Sequence, residues 1–297
     1  MRKILVLGGT RFFGKRLVEK LLQDGDSAVT ILTRGLTGDD FGGRVTRLAA
    51  DRTDAEGLAR AAGDTDWDVI YDNICFSPDE AAAAVRIFSG KVKRYILTSS
   101  LSVYNPQPDI LTEADFDPLQ IPLQTGGKEK FSYQEGKQLA EAVMLGVADF
   151  PVAAVRFPIV LGVDDYTRRL HFHIEHVRAG QPIGIPNPRA EISFIRSDEA
   201  ADFLYWLGSS ELSGPVNACS DGTLSIGGVI TAIEEITGIP AVIRHETAAA
   251  DQSPFGIGES WFMDTAKARS TGFSFLSLSE WFPELVSSIN SSLGKHE

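Results

Sequence analysis

The sequence predicts an α/β fold: a doubly wound parallel sheet with a smaller, interwoven C-terminal domain. Three observations predict it. Short apolar runs alternate with segments of helical periodicity through the first half, the pattern of βαβ units. The first apolar run breaks into the glycine-rich turn Gly8-Gly9-Thr10-Arg11-Phe12-Phe13-Gly14, and a helical pattern follows at once. The chain has 297 residues, 43% hydrophobic and 23% charged, which is ordinary globular composition and enough length to bury a core without disulfides or metals.

Each element has a local reason. Ile4–Leu7 is a short apolar strand. Phe13, Leu17, Val18, Leu21 and Leu22 recur at helical spacing, with Gly25 placed to end the helix. Val29–Leu32 and Val45–Ala49 read as the second and third strands, Asp54 caps a short helix to Ala62, and Asp68–Ile74 is a β-branched fourth strand. Ser77-Pro78-Asp79-Glu80 is a capping box with proline at the first helical position, opening a helix to about Phe88. Arg94–Ser99 is the fifth strand. The polar stretch from about Asn105 to Lys130 is too long for an idle connection. Tyr133–Val147 is helical, with Leu139, Ala140, Val143 and Val147 on its apolar side, and Val152–Val160 is the sixth strand.

The second half is less regular. Thr167–Ala179 reads as helix, Ile192–Ile195 as a short strand, Ser197 as the cap of a helix to Leu207, and Val216–Cys219 as a return to the sheet. Ser225–Thr237, Ala241–Arg244 and Leu278–Ser288 read as helix, strand and helix. No repeat or linker divides the chain. The expected division is a sheet domain over 1–160 with returning segments at about 190–219, and a second domain over about 161–189 and 220–297.

Lys plus Arg number 28 against 40 Asp plus Glu, a net charge of −12 that argues against a nucleic-acid partner. The two cysteines, Cys75 and Cys219, imply no disulfide framework and a reducing, cytoplasmic compartment. The opening apolar run stops at Gly8-Gly9, too short for a leader's apolar region. No run of about 18 apolar residues occurs, so no membrane span is expected.

The glycine-rich turn suits the pyrophosphate of a dinucleotide, which makes the sheet domain Rossmann-like. A helix N-terminus offers free N–H groups and the positive end of a dipole, and glycines let phosphates approach the backbone. Gly8, Thr10, Arg11, Phe12, Phe13 and Gly14 are the candidate contacts. The end of the second strand selects the cofactor: a carboxylate there holds the ribose 2′-hydroxyl of NAD, an arginine a 2′-phosphate. This chain has Thr33-Arg34 and no acid before Asp39, and Arg11 supplies a second guanidinium. NADP(H) is the favoured cofactor and NAD(H) the alternative. Asp51, after the third strand, is placed to accept from the adenine amine; an exposed turn aspartate is the plainer reading.

Tyr133-Gln134-Glu135-Gly136-Lys137 puts a phenol and an ammonium four residues apart on one helix face. A free tyrosine titrates near ~10, too high for base work at neutral pH, and a close cation brings it down by stabilising the phenolate. Proton exchange with an alcohol or carbonyl then becomes feasible. Thr98-Ser99-Ser100-Leu101-Ser102-Val103-Tyr104 ends the fifth strand, on the side where parallel sheets bind ligands. Ser100 is the candidate to hold a substrate carbonyl, with Ser102 as the alternative hydroxyl; a strand-end cap is the structural reading of either.

Glycine-rich turn, serine strand end and Tyr-x-x-x-Lys, in this order, resemble the extended short-chain dehydrogenases/reductases, the NAD(P)-dependent epimerase/dehydratase group. Ser100 with Val103-Tyr104, Arg156 through Gly162, Phe194-Ile195-Arg196-Ser197-Asp198 and Met263-Asp264-Thr265-Ala266-Lys267-Ala268 are similar to further segments of that group. The resemblance covers nearly the whole chain. It implies a Rossmann domain with a smaller substrate domain, and a triad of Ser100, Tyr133 and Lys137 in which Lys137 also bonds the nicotinamide ribose. It implies a small-molecule substrate changed at a hydroxyl or carbonyl carbon by oxidoreduction, epimerisation or dehydration. A homodimer seam through the helices at 77–88 and 133–147 would follow the group's habit, and Ala81–Ala84 gives the first of these a small-residue face.

Departures from the pattern narrow the expectation. Arg11 replaces the usual middle glycine. Ile159 stands where sugar-nucleotide members carry an asparagine, and Ile192 and about Pro254 where they carry phosphate-binding arginines. The last three remove hydrogen bonds and charge that a buried diphosphate needs, which argues against a nucleotide-sugar substrate. The Thr-Arg-Phe-x-Gly loop resembles atypical members, including isoflavone-reductase-like proteins and the chloroplast stem-loop-binding group. A non-catalytic dinucleotide sensor or RNA-binding protein is therefore the second expectation. His171, His173 and His176 suggest no metal site, since only the last two share a helix face and no third ligand is near. Trp261-Phe262-Met263 reads as an apolar strand, with a substrate-pocket wall as its other use.

Overall fold

The computed structural model describes residues 1–294. Its first half contains β1 (Arg2–Leu7), α1 (Phe12–Gln23), β2 (Ser27–Thr33), β3 (Thr46–Ala49), α2 (Ala55–Ala62), β4 (Val69–Asp72), α3 (Pro78–Phe88), β5 (Tyr95–Ser100), α4 (Tyr133–Val147) and β6 (Val152–Phe157). The second half adds β7 (Ile159–Leu161), α5 (Arg169–Ala179), β8 (Pro182–Gly184), β9 (Glu191–Ile192), β10 (Phe194–Arg196), α6 (Ser197–Leu207), β11 (Gly214–Asn217), β12 (Leu224–Ser225), α7 (Ile226–Thr237), β13 (Val242–Arg244), α8 (Ala266–Ser270) and α9 (Leu278–Leu293).

Seven of these strands form one parallel sheet in the order β3-β2-β1-β4-β5-β6-β11. The order reverses between β1 and β4. At that switch point the connections leave in opposite directions and a crevice opens beyond the carboxyl ends of the strands. Alternate residues of β1 feed opposite cores, as a pleated strand requires. Ile4 and Val6 join the layer of α1 and α6; Leu5 and Leu7 join the layer of α2, α3 and α4. A third core gathers α5, α7 and α9 in the C-terminal half. There β7 pairs with β10, β9 with β12 and β8 with β13.

Several local expectations are corrected. The fourth strand stops at Asp72, because its carboxylate collects Arg52, the Tyr95 hydroxyl and the Ile74 N–H and turns the chain out of the sheet. Glu80 does not close a capping box on Ser77; it accepts from the Phe76 N–H at 2.8 Å. Val147 lies one turn past the core and is 51% exposed. Trp261 and Met263 form isolated bridges to Ile192 and Leu111 in place of a strand. His171 is buried together with His173, whose ring stacks on Phe255 and meets Arg169 O and Ser253 Oγ; burial pulls its pKa down to about 4. Among the described residues, no group of three or more His, Cys, Asp or Glu could hold a metal, and no helix is long and apolar enough to cross a membrane.

The stretch from 105 to 130 forms a strap with short 3-10 turns at Glu113–Asp115, Pro118–Gln120 and Lys128–Lys130. Its anchor is Arg156, fully buried on β6. The guanidinium grips Glu141 of α4 with both edges, at 2.6 and 3.1 Å, and donates to the Tyr104 hydroxyl and to the strap carbonyls of Glu113 and Phe116. Five N–H donors in one plane serve carboxylate, phenol and loop backbone together. Arg156→Met strands the Glu141 carboxylate in the core, with an expected loss of about 3–5 kcal/mol in urea unfolding; a loss below about 1 kcal/mol would show that the pair does not hold the strap.

Candidate active site

The crevice at the switch point is a cleft of about 450 Å³. Gly8, Thr10, Arg11, Phe12, Phe13, Gly14, Arg34 and Asp51 all line it. Its shape begins at the turn. Gly8 has a φ of +84°, and a Cβ on Gly14 would lie 2.4 Å from the Gly8 carbonyl oxygen, so only glycine lets α1 start so close to β1. Phe12 sits at φ +51°, a region that side chains disfavour, and is held there with its ring edge-on to Phe13 and Tyr166. Asp54, Ser77 and Ser132 cap α2, α3 and α4 with side-chain oxygens, whereas Arg11 gives α1 no side-chain cap. The first-turn N–H groups of α1 thus face the cleft free for an anion, and the residues fit the pyrophosphate of a dinucleotide.

Besides Arg52 on its floor, three cations line the same cleft: Arg11, Arg34 and Lys128. The Arg11 guanidinium lies 5.9 Å from the Tyr166 ring centroid. Among the described residues none of the three has an ion pair or a side-chain hydrogen bond. The Asp51 carboxylate accepts from the Thr53 N–H at 3.0 Å and hydroxyl at 2.8 Å; these bonds, aided by the charges of Arg34 and Lys128, hold its pKa below the usual range. The cleft floor was not foreseen. Arg52, 4% exposed, donates to Asp72 at 2.7 and 3.0 Å and to the Glu80 carbonyl. Asn73 accepts from the Thr98 hydroxyl, while its amide nitrogen stands unpartnered beside Gly14. The one sequence signal for this floor was Asp72, a carboxylate closing an otherwise β-branched run.

Ser100 ends β5, Tyr133 and Lys137 lie in the first turns of α4, and none of the three lines the cleft. Lys137 departs furthest from expectation. It is 2% exposed, and its ammonium donates to the carbonyls of Cys75 at 2.8 Å and Thr98 at 2.7 Å. The ammonium also lies 4.4 Å from the Phe76 ring centroid and 5.9 Å from that of Tyr133. Tyr133 opens α4 and is 56% exposed. Ser100 Oγ accepts from the Ser102 N–H at 3.1 Å, the strand-end cap, which leaves its own O–H free to donate. The Ser102 hydroxyl has no partner.

Residues that the sequence reading passed over set this geometry. Gln134 donates to the Tyr104 carbonyl and Gln138 to that of Val103, so α4 is stitched to the segment after β5. A Cβ on Gly136 would lie 2.4 Å from the Phe76 carbonyl oxygen, so α4 sits directly against the chain leaving β4. Phe76 itself lines the cleft and leans on the Tyr133 ring at 6.2 Å, and so links the cleft to the start of α4. Two glutamines at i and i+4 around Tyr133 were the available signal.

A family model described as the NAD dependent epimerase/dehydratase family matches residues 4–218, from the first strand past the last strand of the sheet. The chain belongs to this family. The epimerase/dehydratase chain is 27% identical over 255 residues, 80% of its length, to the chloroplast stem-loop binding protein of 41 kDa b of Arabidopsis thaliana, and spans 64% of that relative. Its fold matches the Bordetella bronchiseptica enzyme WbmH in complex with NAD+, at a TM-score of 0.76 and 16% identity, covering 100% of this chain and 99% of that one. It also matches a UDP-glucuronic acid 4-epimerase from Bacillus cereus, in complex with UDP-glucuronic acid and NAD, at 0.74 and 18%, covering 98% and 99%.

The turn offers a direct check. Gly14→Ala forces α1 away from β1, with nicotinamide dinucleotide affinity expected to fall at least about tenfold in calorimetry and unfolding stability by about 1–3 kcal/mol. Unchanged affinity would detach the cleft from the cofactor.

Proposed function

We propose that this family member works with NADP(H) and changes a small molecule at a hydroxyl- or carbonyl-bearing carbon. The observation that carries the cofactor choice is the pair Arg11 and Arg34: both line the cleft, neither has an ion pair among the described residues, and both are spare in a chain of net charge −12. Two guanidiniums around one phosphomonoester are the arrangement that a 2′-phosphate rewards.

The bound dinucleotide would supply the hydride donor or acceptor. The N–H groups of α1 hold its pyrophosphate, Arg11 and Arg34 its 2′-phosphate, and Asp51 accepts from the adenine amine. At the substrate end, the free O–H of Ser100 donates to the substrate oxygen and Tyr133 exchanges a proton with it. Lys137 ties the ends of β4 and β5 beneath α4 and keeps its ammonium 5.9 Å from the Tyr133 ring centroid. Ile159 and the buried Ile192 offer no side-chain donors, so the substrate in this reading carries no nucleotide diphosphate.

A second reading follows from the likeness to the stem-loop-binding protein: RNA binding on the same fold. Gel-shift binding of structured RNA that collapses steeply with salt would favour it over the enzyme.

Calorimetry with NADP+, NADPH, NAD+ and NADH tests the cofactor. NADP+ should bind at least about tenfold tighter than NAD+, and Arg34→Ala should erase that preference; no heat with any of the four would overturn the reading. In the assay that detects turnover, Tyr133→Phe should lower kcat by about 10²–10⁴ and leave the NADP+ Kd within about twofold. Unchanged turnover would exclude Tyr133 as the proton-exchanging group.

A further inference from the structure

We infer that Lys128, carried by the strap between β5 and α4, is a third cation on the adenosine 2′-phosphate, a specificity residue from a segment remote from the glycine turn and the second strand. This rests on the NADP(H) reading and adds a residue to it.

The strap is pinned so that Lys128 reaches the cleft. Beyond the Arg156 anchor, its last part docks on the first turn of α3. There the Gly126 N–H donates to the Asp79 carboxylate at 2.8 Å and the Asp79 N–H returns a bond to the Gly126 carbonyl at 3.4 Å. The turn Lys128–Lys130 follows, and its two lysines part company. Lys130 folds back onto the Thr125 carbonyl at 2.7 Å, with its ammonium 5.6 Å from the Phe131 ring centroid. Lys128 instead lines the cleft with Arg11 and Arg34. It also lines an adjoining cavity of about 530 Å³, again with Arg34 and Asp51. Lys128 and Arg34 therefore stand on the border shared by the two spaces, at the adenine end marked by Asp51.

The charges around that border are unevenly satisfied. Asp51 is occupied by Thr53, Asp79 by the Gly126 N–H and Glu80 by the Phe76 N–H. Glu129 is the remaining carboxylate of the border and is exposed. The carboxylates at the cleft are thus largely engaged by N–H and O–H donors, while Arg34 and Lys128, unlike Arg52 with its Asp72, have no ion pair or side-chain hydrogen bond among the described residues. Like charges converging on one small space repel, and a phosphomonoester of charge about −1.5 to −2 removes that repulsion. A lysine suits the outer position, because its point charge on a flexible stem adapts to a phosphate already gripped in plane by a guanidinium. A ribose with a bare 2′-hydroxyl gives Lys128 no anion to meet.

Adenosine 2′,5′-bisphosphate and 5′-AMP isolate this end of the cofactor. Calorimetry on the full chain should show Lys128→Ala weakening the bisphosphate about tenfold, with 5′-AMP changed less than about twofold and Lys128→Arg close to wild type. If Lys128→Ala spares the bisphosphate, or weakens both ligands equally, the assignment of Lys128 is wrong, while Arg34→Ala still reports on the NADP(H) reading. If the wild-type chain binds the two ligands equally, the NADP(H) reading fails and this proposal falls with it.

Discussion

Everything at the cleft depends on how closely α1 starts to β1. The 2.4 Å between a would-be Gly14 Cβ and the Gly8 carbonyl leaves no room for a methyl group, and that closeness sets the uncapped first turn of α1 at the sheet's switch point. The turn is not self-supporting. Leu17, Val18 and Leu21 of α1 share a core with Phe203, Leu204 and Leu207 of α6, almost two hundred residues later. Phe12 keeps its unfavourable φ against Tyr166, and a Cβ on Gly162 would lie 2.9 Å from its ring. A strained residue persists only where its surroundings over-determine it. Here the surroundings come largely from the second half, so the glycine turn is a property of the whole chain.

The second constraint is ionic. An apolar pair in place of Arg156 and Glu141 would avoid the desolvation of two charges, but could not serve the strap. The carbonyls of Glu113 and Phe116 have no strand to bond, and backbone polar groups at the core need partners. Arg156 supplies them while Ser99 and Tyr104 complete the shell of Glu141 and the guanidinium. The Asn217 N–H then holds the Glu113 carboxylate at 2.8 Å, so the seventh strand of the sheet also fixes the strap. The polar network is fully used, the condition under which burying it is tolerable.

What the sequence made legible was local. The glycine turn, the β1 and β2 ends and the bounds of α3 each follow from a few adjacent residues, and of the nine residues read as cofactor contacts all but Lys137 line one cleft. What it hid was assembled across distance. Arg52 finds Asp72 from twenty residues away, and Lys128 arrives on a strap whose path is dictated by Arg156 and Asp79. Trp261 and Met263 were apolar enough for a strand, but their neighbours are a bridge partner on β9 and another on the strap, so no ladder forms. Lys137 shows the limit of helix-face reasoning. Spacing placed it on the side of Tyr133 but said nothing of depth, and the buried ammonium took the nearest carbonyls.

That depth gives Phe76 its importance. Its N–H is held by Glu80, its carbonyl lies under Gly136, and its ring lines the cleft and lies 6.2 Å from the Tyr133 ring. The three N–H donors of Lys137 have two carbonyls and one aromatic face before them, which satisfies the ammonium within the protein. The backbone around Phe76 is fixed at both ends, by the Glu80 carboxylate and by the close approach of Gly136.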